Sequence, residues 1–443
     1  MSETAVTSPP PGRPPLLRAA ATTYAARIVF AVLSFVSVLI TARALGPEGR
    51  GSIAFVMTAG YLTSQLATFG IFQADANIAA REPHLTRSLA GTSAGLSAIF
   101  GLIAAAVVAV LIAAFPDIGG GSKPEDLALV LAILPVLVLQ PCLDQLLRAH
   151  YEVKLSNLGM LVMPIVNVLT VGTLAAIDTL TVTSAVAAWV AGQLASTLVL
   201  ALCVFRRLDG FGRFDLGLAR RMLRFGIKAY IGRVLLLGNY RMDTWLLGGI
   251  AGPTQVGQYS IAVAWMEMLF FLPTAVTLAQ RPDLVRSSPA SAAHNAALAA
   301  RGTILITIGL AIAMFVFAPF LCVTVFGEEF RDSITMMRIL VLGAFGIVVL
   351  KVLGNALTAQ RKPMLETAGA AAAFVVVLGL DIILIPSDGG LGASIASAVG
   401  YSVGGIAVSL IFVRALDARL RDLIPRMQDV RWVAMRLRRR AKV

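Results

Sequence analysis

Charge is scarce in this 443-residue sequence: 14% of its residues are Asp, Glu, Lys or Arg, against about 25% in a typical soluble protein. With 58% apolar residues besides, the chain holds too few polar groups to cover a water-facing surface. Cysteine and histidine are scarce too, at three each. Cys142, Cys203 and Cys322 lie far apart in apolar runs, which excludes a disulfide framework or a zinc-type ligand spacing. The glycine-rich stretches Gly119-Gly120-Gly121 and Gly389-Gly390 lack the Lys-Ser/Thr of a phosphate-binding loop, so no ATP site is expected. Long loops are missing as well, which argues against a membrane glycan polymerase or ligase with a large external catalytic domain. A soluble enzyme, a nucleic-acid-binding domain and a secreted scaffold are all excluded.

What is present is a series of apolar runs. A helix needs roughly 20 residues to cross a hydrocarbon core of about 30 Å, and twelve runs qualify: 17–43, 52–78, 88–115, 126–148, 154–177, 182–205, 222–249, 256–280, 298–324, 334–357, 363–385 and 390–413. The expectation is an all-α polytopic membrane protein of about twelve transmembrane helices. Residues 1–16, with Pro9, Pro10, Pro11, Pro14 and Pro15, read as a disordered tail. Pro135, Pro141, Pro164 and Pro273 fall inside runs, where kinks are expected.

The net charge of +13, from 37 basic and 24 acidic residues, is distributed unevenly. Alternate connections carry Arg81 and Arg87, Arg148 and Lys154, the Arg206–Arg221 cluster, Arg281 and Arg286, and Arg361 and Lys362. The opposite connections carry Glu48, Asp117, Glu125, Asp178, Glu328, Glu329 and Asp388 with few cations. The positive-inside rule then puts both termini in the cytoplasm and the protein in the cytoplasmic membrane as a multi-pass chain. Residues 414–443 hold ten basic and three acidic residues with apolar residues at helical spacing, the pattern of an amphipathic helix on an anionic membrane surface. That tail is also where glycan assembly enzymes could dock.

The chain contains an internal duplication. Gly46-Pro47-Glu48-Gly49-Arg50-Gly51 precedes Ser52-Ile53-Ala54, while Gly252-Pro253-Thr254-Gln255-Val256-Gly257 precedes Ser260-Ile261-Ala262. Both copies fall between the first and second runs of a six-run half. Halves with an even number of spans share one orientation, so they predict an N-terminal lobe (17–206) and a C-terminal lobe (222–413). A linker (207–221) would join them, and a pseudo-two-fold axis along the membrane normal would relate them, as in parallel-repeat transporters.

The stretch from Ala42 through Gly46-Pro47 to Gly51 resembles the end of the first helix in the bacterial polysaccharide (oligosaccharide) flippase family of the multidrug/oligosaccharidyl-lipid/polysaccharide exporter superfamily. Family order continues through Arg241-Met242-Asp243, Gly252-Pro253, Val256-Gly257-Gln258-Tyr259-Ser260-Ile261-Ala262, Phe326-Gly327-Glu328-Glu329-Phe330, Leu384-Ile385-Pro386 and Gly392-Ala393-Ser394-Ile395-Ala396. Asp381 departs from it, since an amide or apolar residue is common there. The resemblance implies a flippase that moves undecaprenyl-diphosphate-linked glycans to the outer leaflet. The competing readings are an organic-cation exporter of the same superfamily and a peptidoglycan-precursor flippase, whose family usually adds two helices.

Ionisable residues inside spans are the candidate site, because their burial is costly unless they face protein or water. Arg27, Lys228 and Arg233 lie toward the cytoplasmic ends of the first and seventh spans, and guanidinium groups suit a diphosphate; snorkelling is the alternative for Arg27 and Lys228. Glu267 is expected to carry a coupling H⁺ or Na⁺ or to pair with Arg233. Lys351 and Asp381 are expected to neutralise each other. Arg241 and Asp243, two residues apart, point to different faces and should not pair, and Asp243 reads chiefly as structural. No cofactor and no catalytic residue is expected. The partners expected are a polyprenyl-diphosphate-linked glycan and membrane lipids, with no nucleic acid.

Overall fold

The computed structural model describes residues 16–115 and 119–426. Among these the chain forms helices α1 (Leu16–Ala67), α2 (Ile71–Arg81), α3 (Thr86–Ala114), α4 (Pro124–Ala132), α5 (Leu134–Ala149), α6 (Val153–Ala176) and α7 (Val182–Arg207). They continue as α8 (Leu216–Leu269), α9 (Phe271–Arg286), α10 (Pro289–Pro319), α11 (Ser333–Ala359) and α12 (Pro363–Ala415), with no strand among the described residues. With no water in the hydrocarbon core, each backbone N–H and C=O needs an internal partner, and helices supply one within the segment.

Nine helical stretches among the described residues are long and apolar enough to cross a membrane. The twelve predicted runs fit into nine because three stretches carry two runs each and bend at a glycine instead of breaking into a loop. The bends are at Gly46 (φ 64°, ψ −173°), Gly252 (φ 82°, ψ 176°) and Gly389 (φ 52°, ψ −128°). Positive φ costs an L side chain energy that glycine avoids. After Gly46 and Gly252 comes a proline whose ring is preset for a first helical turn. The two copies of the sequence repeat therefore adopt the same backbone turn.

Three predicted runs break: two beside prolines where kinks were expected, at Ile133 before Pro135 and at Phe270 before Pro273, and one where none was expected. The 52–78 run is split at Phe69 (φ 41°) and Gly70 (φ 76°), so α2 leaves α1 as a separate short helix. The 126–148 run is split at Ile133, where Pro135 lies in the first turn of α5. Pro141 and Pro164, expected to kink, sit inside the unbroken helices α5 and α6. Past α12 only a short 3₁₀ turn, Leu420–Asp422, follows. The amphipathic helix expected there does not begin by residue 426, and the rest of that expectation lies outside the described residues.

Burial sorts the helices into inner and outer. Leu102, Ile103, Val107 and Val110 leave α3 with an exposed apolar face, as lipid contact requires. By contrast, α11 is enclosed along its length, with Met337, Ala344, Val348, Leu353 and Leu357 fully buried. Its neighbours include α8 and α12, which carry most of the intramembrane charges.

Candidate functional site

Two polar constellations are built on α8. The first centres on an ion pair: Arg241 Nη2 lies 2.9 Å from Glu267 Oε1, with side chains 35% and 40% exposed. These residues occupy the two arms of α8 on either side of the Gly252 bend. Their exposure in an apolar bundle means that they line a polar opening. Glu267 thus pairs with Arg241. The side chains of Arg233 and Lys228 lie outside the described residues.

Lys351 of α11 does not meet Asp381. Its Nζ stands 4.5 Å from the ring centroid of Phe270 and 5.5 Å from that of Tyr240, and the two rings are 6.1 Å apart. Each such contact contributes about 0.5–2 kcal/mol, more as water is excluded. Lys351 is in electrostatic reach of both Glu267 and Arg27. Arg27, exposed on α1, is in turn within reach of Arg148 and Asp144 on α5. Asp144 is committed locally, accepting from Arg148 Nε at 2.8 Å and from Ser156. The result is a track of three cations, Arg27, Lys351 and Arg241, with Glu267 as the single carboxylate shared by the last two.

The second constellation is buried and acidic. Asp243, 2% exposed, accepts from the Tyr259 hydroxyl at 2.5 Å, the Ser397 hydroxyl at 3.2 Å and the Thr244 N–H at 2.6 Å. As expected, it does not pair with Arg241. Asp381, 0% exposed, has both carboxylate oxygens buried without a hydrogen-bond donor, within electrostatic reach of Asp243. One turn before Asp243, Asn239 donates to the carbonyl of Ala370 at 2.8 Å while its Oδ1 is buried without a donor. Leaving such groups unsatisfied costs about 1–3 kcal/mol each, and more when charged. An arrangement with surplus acceptors and too few donors is suited to a proton or a hard cation. Among the described residues no three or more His, Cys, Asp or Glu side chains gather as a metal cluster.

In the N-terminal half Asp75 is satisfied, its oxygens 2.8 and 2.9 Å from the Ser93 hydroxyl that donates to it, whereas Asp126, in the first turn of α4, also has both carboxylate oxygens buried without a hydrogen-bond partner. Several contributors were not singled out from sequence. Tyr240, Phe270 and Asn239 gave only the weak signal of polar or aromatic residues inside a span. Tyr259 lay in a quoted motif, and a buried tyrosine hydroxyl generally needs a partner; that partner, Asp243, was not foreseen.

Comparison with known proteins places these features in a known architecture. A family model described as "Polysaccharide biosynthesis protein" matches residues 40–335. The fold is shared with the lipid II flippase MurJ in an inward closed conformation, at TM-score 0.74 and 13% identity, over 91% of this chain and 89% of that one. An inward-facing multidrug resistance MATE transporter of the MOP superfamily aligns at TM-score 0.67 and 17% identity, covering 87% and 94% of the two chains. A MOP-superfamily transporter from Pyrococcus furiosus, noted for the reverse polarity of its binding pocket, aligns at 0.62 and 16% identity, covering 92% and 96%. No curated protein matches.

Proposed function

The chain belongs to the polysaccharide biosynthesis protein family, and from that premise we propose that it is a flippase. Its cargo is a polyprenyl-diphosphate-linked oligosaccharide, moved from the inner to the outer leaflet of the cytoplasmic membrane by alternating access, with no covalent step. The carrying observation is the cation track of Arg27, Lys351 and Arg241. A diphosphate brings charge that several cations at close quarters can match, and phosphate oxygens compete with Glu267 for the Arg241 guanidinium. Lys228 and Arg233 are proposed to extend the track along α8. An organic-cation cargo is disfavoured because Lys351 already occupies the faces of Tyr240 and Phe270.

In this reading the twelve runs form two six-helix lobes around the track, with the arginine-rich end in the cytoplasm. The acidic constellation supplies the coupling. A H⁺ or Na⁺ bound by Asp243 and Asp381 would join the first arm of α8, its second arm through Tyr259, and both arms of α12 through Asp381 and Ser397. Arg241 lies two residues from Asp243, so cation occupancy and diphosphate occupancy bear on the same helix.

The test is reconstitution in proteoliposomes with a fluorescent polyprenyl-diphosphate disaccharide and a reagent that reports outer-leaflet probe. The expected outcome is protein-dependent translocation that falls at least tenfold in Arg27→Ala and Lys351→Ala. Transport of a cationic dye without movement of the lipid probe would replace the flippase reading with drug export.

A further inference from the structure

At the arginine-rich end of the bundle lies a cavity of about 540 Å³, within the roughly 300–1,000 Å³ typical of ligand sites; its lining residue Gln145 follows Asp144, the carboxylate in electrostatic reach of Arg27. It owes its shape to α2. Gly70 and Gly226 pack backbone to backbone: a Cβ on Gly70 would stand 2.3 Å from the Gly226 carbonyl oxygen. That contact clamps the start of α2 to α8 and brings Phe225 next to it. Along α2, Ile71, Ala74, Asp75, Ile78 and Ala79 turn into the bundle. The opposite face, with Gln73, Asn77 and Arg81, lines the cavity together with Gln145 of α5, Phe72 and Phe225.

Helix α2 faces an unusual environment for this chain. Three amides and one guanidinium converge on a single cavity, and none of these side chains hydrogen-bonds or ion-pairs with a described residue. Gln73 Oε1 is buried and has no donor. Polar groups with no partner in the protein serve either water or a ligand. No carboxylate lines the cavity, so nothing there favours a cation. A lipid tail would strand three amides, and a lone Arg81 at the rim makes a poor diphosphate site next to the cation track. Amides instead match neighbouring hydroxyls, since each offers donors and an acceptor together. The rings of Phe72 and Phe225 supply flat apolar walls for the C–H faces of a pyranose.

We propose that this cavity is a carbohydrate subsite that holds the glycan headgroup while the diphosphate occupies the cation track. The proposal rests on the flippase reading above. It makes Gln73, Asn77 and Gln145 determinants of glycan selectivity, apart from diphosphate recognition.

The test compares binding of four probes to the full chain in lipid nanodiscs: farnesyl diphosphate, and the same lipid bearing one glucose, N-acetylglucosamine or glucuronate. At least one sugar is expected to tighten binding tenfold or more over farnesyl diphosphate. Asn77→Leu/Gln145→Leu should bring that Kd to within about twofold of the sugarless probe, leaving the Kd for farnesyl diphosphate unchanged. Asn77→Ala alone, with an unaltered Tm, serves where the double variant misfolds, and should lose at least a third of the increment on a logarithmic scale. A wild-type chain that binds all four probes equally overturns the carbohydrate subsite, as does an increment that survives the substitutions. A wild-type chain that binds none of the four overturns the flippase reading itself, and the subsite with it.

Discussion

Gly51 packs against the carbonyl of Pro253, and its counterpart in the sequence repeat, Gly257, packs against the carbonyl of Pro47. A Cβ would stand 1.7 Å from the Pro253 oxygen in the first case and 1.9 Å from the Pro47 oxygen in the second. Both residues of each contact are offset by 206 positions from those of the other. Such reciprocity is what an isologous contact requires, here between two halves of one chain. The turns meet at the end carrying Glu48, Glu328 and Glu329, where this backbone seam is flanked by Arg43, which donates to the carbonyls of Thr324 and Val325.

Since no side chain fits at this seam, Gly51→Val or Gly257→Val should force it apart and hold the acidic end open. The check is electron–electron distance measurement between spin labels at Glu48→Cys and Thr254→Cys, in a chain whose native cysteines are replaced. The valine variants should shift the distance distribution to longer values, and flipping should fall at least tenfold. An unchanged distribution would mean that the turns relax locally and the seam is no gate.

Glu267 competes with the cargo for Arg241 in the proposed mechanism. Glu267→Gln removes that competitor and should tighten inorganic pyrophosphate binding by about tenfold, equivalent to roughly 1.4 kcal/mol. Lys351→Met should weaken it by a similar factor. Titration calorimetry in detergent measures both. Weaker pyrophosphate binding in Glu267→Gln would instead show that Glu267 orients Arg241 for the ligand.

The membrane-spanning helices were legible in the sequence because they follow from composition along one segment. Gly46-Pro47 and Gly252-Pro253 announced their turns for the same reason. Pairing was less legible. Glu267 meets Arg241 only because Gly252 folds the second arm of α8 back, and no count of residues along an ideal helix predicts that. Lys351 and Asp381 sit on consecutive runs, yet sequence order does not say which faces of α11 and α12 meet. The break at Phe69–Gly70 was hidden inside an apolar run, so the separate helix α2 and its amide-bearing face could not be read beforehand.

Arg221, near the start of α8, donates to both oxygens of Glu82 in the α2–α3 connection, one of them at 3.0 Å. That hydrogen bond, reinforced by the guanidinium charge, holds the Glu82 carboxyl below its ordinary pKa, and the same pairing raises that of Arg221. A carboxylate with a depressed folded-state pKa adds stability that is fully present above the unfolded value of about 4.3. It is lost as pH falls through the lower folded value. Arg221→Gln should therefore lower Tm at pH 7 and hasten proteolysis between residues 208 and 215. The difference from wild type should disappear in the acid range below about pH 4. A Tm difference that persists in acid would assign the effect to packing of the Arg221 stem.

Asp381 is the sharpest test of coupling, because its carboxylate has neither donor nor cation partner among the described residues and lies in electrostatic reach of Asp243. If that carboxylate exists to receive a cation, its charge destabilises the unloaded protein. Asp381→Asn keeps the shape while removing the charge, so it should raise stability in cation-poor buffer by about 1–3 kcal/mol. The wild type should gain stability with sodium or with protons, by about 2.7 kcal/mol at a hundredfold excess over Kd. Asp381→Asn should lose that gain, and Asn239→Ala should reduce it. Thermal unfolding across a sodium series at fixed pH, and across a pH series in choline chloride, separates the two ions. A variant that is less stable in cation-poor buffer and still gains from the ion would make Asp381 a structural residue and move coupling elsewhere in the chain.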